Sequence, residues 1–194
     1  MTTETIERRL YDTTLRVETR ASGRPTLIGH AAVFNSMSLD LGGFRELVAP
    51  GAFAATIVED DVRALFNHKP DFVLGRNRAG TLRLSEDTRG LAFEIDLPDT
   101  QVARDLATSV ERGDISGNSF GFQAIEDRWE HGQGGEIRTL VRVRLFDVSP
   151  VTFPAYPATD LAKRSLEAWL ETQKEPAVSE EDLARLADHH RLVI

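Results

Sequence analysis

Residues 117–146 read GNSFGFQAIEDRWEHGQGGEIRTLVRVRLF, and the class of fold follows from this segment. Apolar and polar residues alternate from Phe120 to Ile125 and again from Thr139 to Phe146, which is the period of a half-buried strand. Between the two runs stands HGQGG, residues 131–135, a sequence typical of a flexible hairpin tip. The segment therefore predicts two strands joined by a turn.

Upstream of this hairpin the chain is also rich in short strand signals. Val102, Leu106 and Val110 recur at four-residue spacing and predict one amphipathic helix. Asp99 or Thr100 caps the start of this helix. Alternating or β-branched apolar runs predict short strands over residues 14–19, 26–34, 44–48, 62–66, 79–84 and 91–97.

Strands joined mainly by turns, without β-α-β alternation, predict an α+β protein built on a mainly antiparallel barrel or sandwich with added helices. We expect a flexible N-terminal arm over residues 1–13, a β domain over 14–158 and an acidic helical tail over 159–194. Further helices are predicted over residues 50–58, 160–172 and 179–189. The two helices of the tail have apolar faces, which we expect to pack on the β domain.

Composition narrows the class of protein. The chain of 194 residues has 23 Lys and Arg against 31 Asp and Glu, a net charge of −8 that argues against a nucleic-acid partner. It has no cysteine, which excludes disulfides, thiolate zinc sites and a cysteine nucleophile. No apolar run approaches the length of about 18 residues that spans a membrane, and no secretory signal precedes the first strand. We expect a soluble intracellular protein that needs no metal or cofactor.

The strongest catalytic signal is Gly117-Asn-Ser119-Phe-Gly121, a G-x-S-x-G sequence. Glycines beside a serine let the backbone turn tightly, expose the hydroxyl and leave N–H groups for a developing oxyanion. The alternative is a glycine-rich bend that enters a strand. An α/β-hydrolase is excluded, because there the serine lies between a strand and a following helix, whereas here a helix precedes it and a strand follows. The downstream histidines, His131, His189 and His190, follow no packed strand.

His68 is better placed as a partner for a serine. It follows the apolar run of residues 62–66, so the scaffold can hold it at a strand end facing a cleft. Neutral imidazole can take the serine proton and return it to the leaving amine. The alternative is a histidine that merely occupies the turn before Lys69 and Pro70.

A third group must orient the imidazole and stabilise its charged form. Asp147 is the first candidate, because it follows an alternating strand among apolar residues, where an acid needs a partner. The alternative for Asp147 is an acid that caps a turn at the strand end. Weaker candidates for the third position are Glu94, Asp96 and His131.

Five segments in order resemble the HK97-type prohead (capsid maturation) proteases of tailed bacteriophages, a family related to the herpesvirus assemblin proteases. The resemblance covers roughly residues 14–165. The matching segments are GHAAVFN at 29–35, FRELVAPGAF at 44–53, LFNH at 65–68 followed by LGR at 74–76, GDISGNSFGF at 113–122 and DVSPVTFPAYP at 147–157.

This resemblance implies a herpesvirus-protease-like β-barrel ringed by helices, with Ser119 as the nucleophile and His68 as the general base and acid. Asp147 stands where the phage relatives have an acid, commonly glutamate, and where the herpesvirus relatives use a second histidine. Ser116 lies close to Ser119, but only Ser119 has glycines on both sides at the motif spacing. The backbone N–H groups of Phe120 and Gly121 are one source of oxyanion donors, and donors from elsewhere are the other.

The resemblance further implies a serine endopeptidase inside the assembling prohead, in the host cytoplasm. Its partners would be the major capsid protein, whose scaffolding segment it removes, and the protease itself through autocleavage, with a homodimer left open. No nucleic acid and no membrane is expected as a partner. The alternative is a catalytically silent capsid-assembly or scaffold-like protein that keeps the fold. The two differ in whether His68 and Ser119 approach each other.

Overall fold

The computed structural model describes residues 6–20, 23–153 and 160–173. In these ranges the chain forms ten strands, three α-helices and a short 3₁₀ turn at Asn77–Ala79. In chain order the elements are β1 (Glu7–Asp12), β2 (Arg16–Thr19), β3 (Pro25–Val33), β4 (Phe44–Val48), α1 (Thr56–Glu59), β5 (Arg63–Phe66), β6 (Lys69–Arg76), β7 (Leu82–Glu86), β8 (Gly90–Asp96), α2 (Gln101–Glu111), β9 (Gly117–Gly132), β10 (Gly135–Val151) and α3 (Asp160–Gln173).

The described strands form two sheets. The first has the order β1-β9-β10-β5-β6, with β4 also paired to β10, and the second has the order β2-β3-β8-β7. Neighbouring strands are antiparallel except β4 with β10 and β5 with β10, which are parallel. The predicted α+β class with mostly antiparallel strands is confirmed. The hydrogen-bonded pairing gives two sheets and no closed ring among these strands.

The β9–β10 hairpin is the longest feature of the first sheet and confirms the predicted hairpin. Its Cα register runs from Gly132 opposite Gly135 to Gly117 opposite Val151. The register shifts between Leu145 and Asp147, so one extra residue, Phe146, forms a β-bulge there. This bulge lies just before the end of β10 that carries the predicted acid.

One apolar core joins the two sheets and α2. Its buried side chains include Phe120 and Phe122 from the first sheet, Phe93 and Ile95 from the second, and Leu106 from α2. Burying one such side chain stabilises a fold by about 1.5–3 kcal/mol. The amphipathic helix predicted around Leu106 is confirmed.

The start of α2 is set by a side-chain cap. Thr100 Oγ1 accepts a hydrogen bond from the backbone N–H of Ala103 at 3.3 Å, so Thr100 rather than Asp99 is the cap. Because α2 precedes the serine motif and the motif itself is the beginning of β9, the exclusion of an α/β-hydrolase elbow agrees with the structure.

The prediction of a loose arm is wrong for residues 7–12, which form β1 and pair with β9. Polar side chains suggested exposure, but Glu7 and Arg9 are buried in an ion cluster. Arg9 Nε donates to Glu46 Oε1 at 2.8 Å, and Arg138 Nη1 donates to Glu7 Oε2 at 2.9 Å. Paired charges can be buried where single charges cannot. The polar composition of residues 7–12 therefore led to a wrong prediction of exposure.

Two further predictions differ in extent. In the segment 50–58 only α1, Thr56–Glu59, is α-helical, and the residues before it form turns. Strand β6 was not predicted, because its first residues, Lys69, Pro70 and Asp71, are polar or lack an N–H and remain exposed at the edge of the sheet.

The first helix of the tail, α3, packs on the first sheet as expected. The Trp169 ring stacks on Trp129 with centroids 5.3 Å apart, and Leu166 packs against Leu41 and Phe44. The helix predicted over residues 179–189 lies outside the described residues. Among the helices that are described, none is long and apolar enough to cross a membrane.

Candidate active site

A chain of hydrogen bonds joins the three residues singled out from the sequence. His68 Nε2 lies 2.7 Å from Ser119 Oγ, and His68 Nδ1 lies 2.6 Å from Asp147 Oδ1. The three side chains come from the β5–β6 turn, β9 and β10. The Asp147 carboxylate thus reaches the imidazole directly.

Strand β9 presents Ser119 to the site by simple alternation. Phe120 and Phe122 point into the core, so Ser119 and Gly121 lie on the opposite face of the strand. The motif is an extended strand and not a tight turn, because neither Gly117 nor Gly121 has a positive φ. A Cβ at Gly121 would come within 2.3 Å of Asp147 Oδ2, so glycine serves here to let the carboxylate approach.

His68 is held in a two-residue turn that joins β5 to β6. Asn67 and His68 have φ angles of 54° and 55°, both in the left-handed region that tight hairpin turns of type I′ require. Asparagine tolerates this region better than most residues. The geometry of the turn therefore fixes the direction in which the imidazole leaves the backbone.

The Asn67 side chain ties this turn to the end of β10. Asn67 Nδ2 donates to Thr152 Oγ1 at 3.1 Å, and Asn67 Oδ1 accepts from the Thr152 backbone N–H at 2.9 Å. The backbone N–H of Asn67 also donates to the Pro150 carbonyl oxygen at 3.0 Å. These bonds hold the His68 turn beside the strand that carries Asp147.

Asp147 lies directly after the β10 bulge, and its residue exposure is 7%. Bulges re-aim the side chains that follow them and are common beside active sites. Oδ1 of Asp147 accepts a second hydrogen bond, from Ser149 Oγ at 2.6 Å. Two neighbouring side chains, His68 and Ser149, therefore hold Oδ1 of this carboxylate in place.

A small cleft opens at the serine and histidine. Its volume is about 280 Å³, and Ser119, whose exposure is 0%, is one of the residues that line it. The cleft is lined by Asn67, His68, Lys69, Ser119, Val151, Thr152 and Phe153. Phe153 is 81% exposed, so an apolar ring borders the entrance. A larger groove of about 980 Å³ between β6 and α2 contains none of the three residues.

The weaker candidates from the sequence have other partners. Glu94 and Asp96 both accept hydrogen bonds from Arg83, which lowers the pKa of Asp96 to about 2. His131 bonds Glu136 at the tip of the β9–β10 hairpin, and Ser116 is exposed just before β9. None of these residues, Glu94, Asp96, His131 or Ser116, lines the cleft at Ser119.

His30 has an acidic partner of its own, since its Nε2 lies 2.8 Å from Asp87 Oδ2. His189 and His190 lie outside the described residues. Within the ranges that are described, no three or more His, Asp or Glu side chains are grouped as a metal ion would require.

Sequence reasoning missed the residues that hold the three in place. Ser149 stands two positions after Asp147, which puts both on one face of a strand, so this signal was available. Asn67 directly before His68 is a turn signal of the type I′ kind. The role of Gly121 depends on contact with β10, which the sequence of β9 alone does not contain.

The arrangement suits nucleophilic catalysis by a hydroxyl. A serine bonded to imidazole, with a carboxylate on the other ring nitrogen, provides a nucleophile, a base and a group that orients the base. Such an arrangement recurs on unrelated folds, so the geometry indicates a type of chemistry and does not by itself identify a family.

Comparison with known proteins identifies the family. The family model of the Caudovirus prohead serine protease matches residues 12–172. The prohead protease of Enterobacteria phage HK97 is 29% identical over 156 residues, covering 73% of this chain and 65% of that protein. The chain thus spans less than two thirds of the length of that relative.

Among solved structures, the capsid assembly protease of bacteriophage T4, gp21, superposes with a TM-score of 0.48 and 11% identity, over 75% of this chain and 98% of that one. The match to the family model covers most of the 194 residues and includes Ser119, His68 and Asp147. The chain belongs to the Caudovirus prohead serine protease family.

Proposed function

We propose that the protein is a serine endopeptidase of capsid maturation, with Ser119 as nucleophile, His68 as general base and acid, and Asp147 as the group that orients His68. The observation that carries this proposal is the continuous hydrogen-bond chain from Ser119 Oγ through both nitrogens of His68 to Asp147 Oδ1, with distances of 2.7 and 2.6 Å. Membership of the family supports the same reaction.

The reaction follows from these contacts. His68 Nε2 takes the hydroxyl proton as Ser119 Oγ attacks the peptide carbonyl carbon, and Asp147 accepts a hydrogen bond from Nδ1–H throughout. The imidazolium then gives its proton to the leaving amine as the C–N bond breaks, which leaves an acyl ester on Ser119. Water, deprotonated by His68, hydrolyses that ester and restores the hydroxyl.

The negative charge on the tetrahedral intermediate needs hydrogen-bond donors. Strand β9 pairs with β1 on one side and with β10 on the other at Phe120 and Gly121. The backbone N–H groups of these two residues therefore lie within sheet ladders and are directed to neighbouring strands. We infer that the oxyanion donors come from outside this pair of residues.

The substrates we propose are the scaffolding segment of the major capsid protein and the protease itself, cut within the assembling prohead in the host cytoplasm. The similarity to the prohead protease of phage HK97 supports this assignment. Self-cleavage and a homodimer are parts of the same proposal. The net charge of −8 supports protein rather than nucleic acid as the partner.

The finer fold assignment also belongs to this proposal. We propose that the domain of residues 14–158 is arranged as in the herpesvirus-type β-barrel proteases, with residues 159–194 as a helical tail. The contacts of β3 with β1 and β9, and of β6 with β8, support it, because they bring the two sheets together around one core. The catalytically silent alternative is less well supported, because such a protein has no need for an intact Ser119–His68 contact.

The test is co-expression with the cognate major capsid protein, followed by mass measurement of both proteins. The unaltered chain should shorten the capsid protein and itself at defined positions. Ser119→Ala should abolish both cleavages, since loss of a triad serine costs on the order of 10⁶ in kcat. Asp147→Asn should slow cleavage less. Normal processing by Ser119→Ala would refute the assignment of the nucleophile, and an unaltered rate in Asp147→Asn would remove Asp147 from the mechanism.

A further inference from the structure

Ser149 is a buried hydroxyl that contacts the candidate triad without being part of it. Its residue exposure is 0%, and its Oγ lies 2.6 Å from Asp147 Oδ1. That oxygen is the one that also bonds His68 Nδ1 at 2.6 Å. One carboxylate oxygen thus takes two short hydrogen bonds, one from the imidazole and one from the Ser149 hydroxyl.

The strand register explains why Ser149 reaches this position. Ser149 lies directly opposite Ser119 in the β9–β10 ladder. Residues directly opposite each other in antiparallel strands project their side chains to the same face. Because Asp147 and Ser149 are two apart on β10, Asp147 shares that face as well. The nucleophile, the carboxylate and the second hydroxyl are therefore neighbours as a consequence of sheet geometry.

The chemistry of the pair fixes the direction of the bond. An ionised carboxylate only accepts hydrogen bonds, so the Ser149 hydroxyl donates. The Gly121 backbone closes the other side of the carboxylate, because a Cβ there would lie 2.3 Å from Oδ2. Ser149 and Gly121 together leave the carboxylate little freedom to rotate away from His68.

We propose that Ser149 is a positioning residue for catalysis: its hydroxyl holds the Asp147 carboxylate in the plane that His68 needs and takes up part of its negative charge. This inference rests on the proposed function of the triad. Ser149 acts through Asp147 and touches neither the substrate nor the reacting atoms.

Loss of this hydroxyl has two consequences. The carboxylate is less well oriented, so the chemical step slows while substrate binding in the cleft is unaffected. Asp147 also keeps more of its charge for His68, which favours the protonated imidazole, so the rate reaches half its maximum at a higher pH. The charged residues near the site include Lys69 in the cleft. Arg63 lies opposite Asp147 on β5 and bonds Asp61, and Arg8 lies opposite Gly121 on β1, on the face that Asp147 shares.

The experiment measures kcat and KM from about pH 5 to about pH 9 on a peptide that spans a mapped cleavage site. Ser149→Ala should lower kcat about 10- to 100-fold, the effect of losing one hydrogen bond to a charged group, with little change in KM. The acidic limb of its pH–rate profile should move to higher pH. Ser116→Ala is the control, since Ser116 is exposed and lies before β9.

A second pair of variants separates the hydroxyl from packing. Thr and Val have nearly the same shape, so Ser149→Thr and Ser149→Val disturb the buried site equally and differ in the hydroxyl. We expect Ser149→Thr to retain most of the kcat and the pH profile of the unaltered protein, and Ser149→Val to behave like Ser149→Ala. Equal kcat values and equal profiles for the Thr and Val variants would overturn the role of Ser149.

Failure of this inference is distinguishable from failure of the proposed function. If the unaltered protein cleaves and Ser119→Ala does not, but Ser149→Ala keeps the full kcat and profile, only the role of Ser149 is wrong. If the unaltered protein is as inactive as Ser119→Ala, the proposed function is wrong. In that case ¹⁵N spectra of the His68 ring still test the contact, because loss of the Ser149 hydroxyl should shift the Nδ1 signal, and an unchanged signal refutes the coupling.

Discussion

The backbone of Gly121 lies directly against the Asp147 carboxylate, so a single missing side chain shapes the candidate active site. A Cβ at this position would come within 2.3 Å of Oδ2. A flexible side chain could give way cheaply, but Asp147 is held by His68 and Ser149. Gly117, at the start of the same motif, is different, because a Cβ there would meet its nearest atom at 3.5 Å, an ordinary contact.

We therefore predict that Gly121→Ala lowers kcat at least about tenfold, because the displaced carboxylate no longer orients His68. Gly117→Ala should retain most of the activity. Both variants are measured on the same peptide, with circular dichroism to verify that each is folded. Equal activity of two folded variants would show that the contact between Gly121 and the carboxylate has no catalytic consequence.

The three side chains that the structure brings together had each been singled out from the sequence. Ser119 stood out by its glycines, His68 by its place after an apolar run, and Asp147 by being an acid among apolar residues. The function of Gly121 was mistaken for turn flexibility, because the atom that excludes a side chain there belongs to a strand distant in sequence. Contacts of that kind are not encoded in local spacing.

At the scale of elements, the turn between β5 and β6 places His68, the proposed base. Asn67 and His68 both have left-handed backbone angles, and the Asn67 side chain is bonded to Thr152 beyond β10. The turn thus depends on two separate properties of one asparagine, its tolerance of positive φ and its two side-chain hydrogen bonds. Two substitutions separate them.

We predict that Asn67→Gly lowers kcat severalfold, because glycine keeps the turn but releases it from Thr152. Asn67→Ala should lower kcat similarly and in addition lower the free energy of unfolding by about 1 kcal/mol relative to Asn67→Gly, the strain of a left-handed alanine. Enzyme assays and urea unfolding measure the two effects. Asn35, whose φ is also 54°, is the control.

The same two substitutions at Asn35 should change stability and leave kcat unaltered, because that turn does not carry His68. A loss of activity in Asn35→Gly equal to that in Asn67→Gly would mean that the effect is general loosening of the fold. Full activity in Asn67→Gly would mean that the hydrogen bonds between the Asn67 side chain and Thr152 do not position His68.

Elements with a regular pattern and ordinary composition were predicted well, and exceptions have specific causes. Strand β1 was not predicted because its buried side chains include the charged residues Glu7 and Arg9. In the fold Glu7 pairs with Arg138, and Arg9 pairs with Glu46. Strand β6 was not predicted because it begins with exposed polar residues at the edge of a sheet. In each case tertiary pairing outweighed the local signal.

At the scale of the whole molecule, the sequence predicted the class but not the order of strands. Antiparallel neighbours joined by short turns, such as β7 with β8 and β9 with β10, were foreseeable. The parallel pairing of β4 and β5 with β10 could not be predicted, because these strands are far apart in the chain and no short turn connects them. The pairing of β5 with β10 brings the His68 turn to Asp147. The sequence could therefore propose the residues of the site but not their assembly.

The second sheet carries a surface ion cluster that links stability to pH. Arg83 on β7 donates to both Asp96 and Glu94 on β8, and Arg20 also bonds Glu94. Hydrogen bonds from Arg83 are the largest cause that lowers the pKa of Asp96 from its usual 3.8 to about 2. A carboxyl whose pKa is lower in the folded state stabilises the fold above its unfolded pKa, and that stabilisation disappears as the pH falls towards the folded pKa.

We predict that Arg83→Met destabilises the protein above about pH 4 and that its difference from the unaltered protein shrinks steadily as the pH falls to about 2, where half of Asp96 is protonated in the folded unaltered protein. Urea unfolding at a series of pH values measures this difference. Arg16→Met is the control, since its ion pair with Glu18 is 57% and 50% exposed and contributes little. A destabilisation by Arg83→Met that stays constant from about pH 5 to about pH 2 would mean that Arg83 acts by packing across β7 and β8 and not through the charge of Asp96.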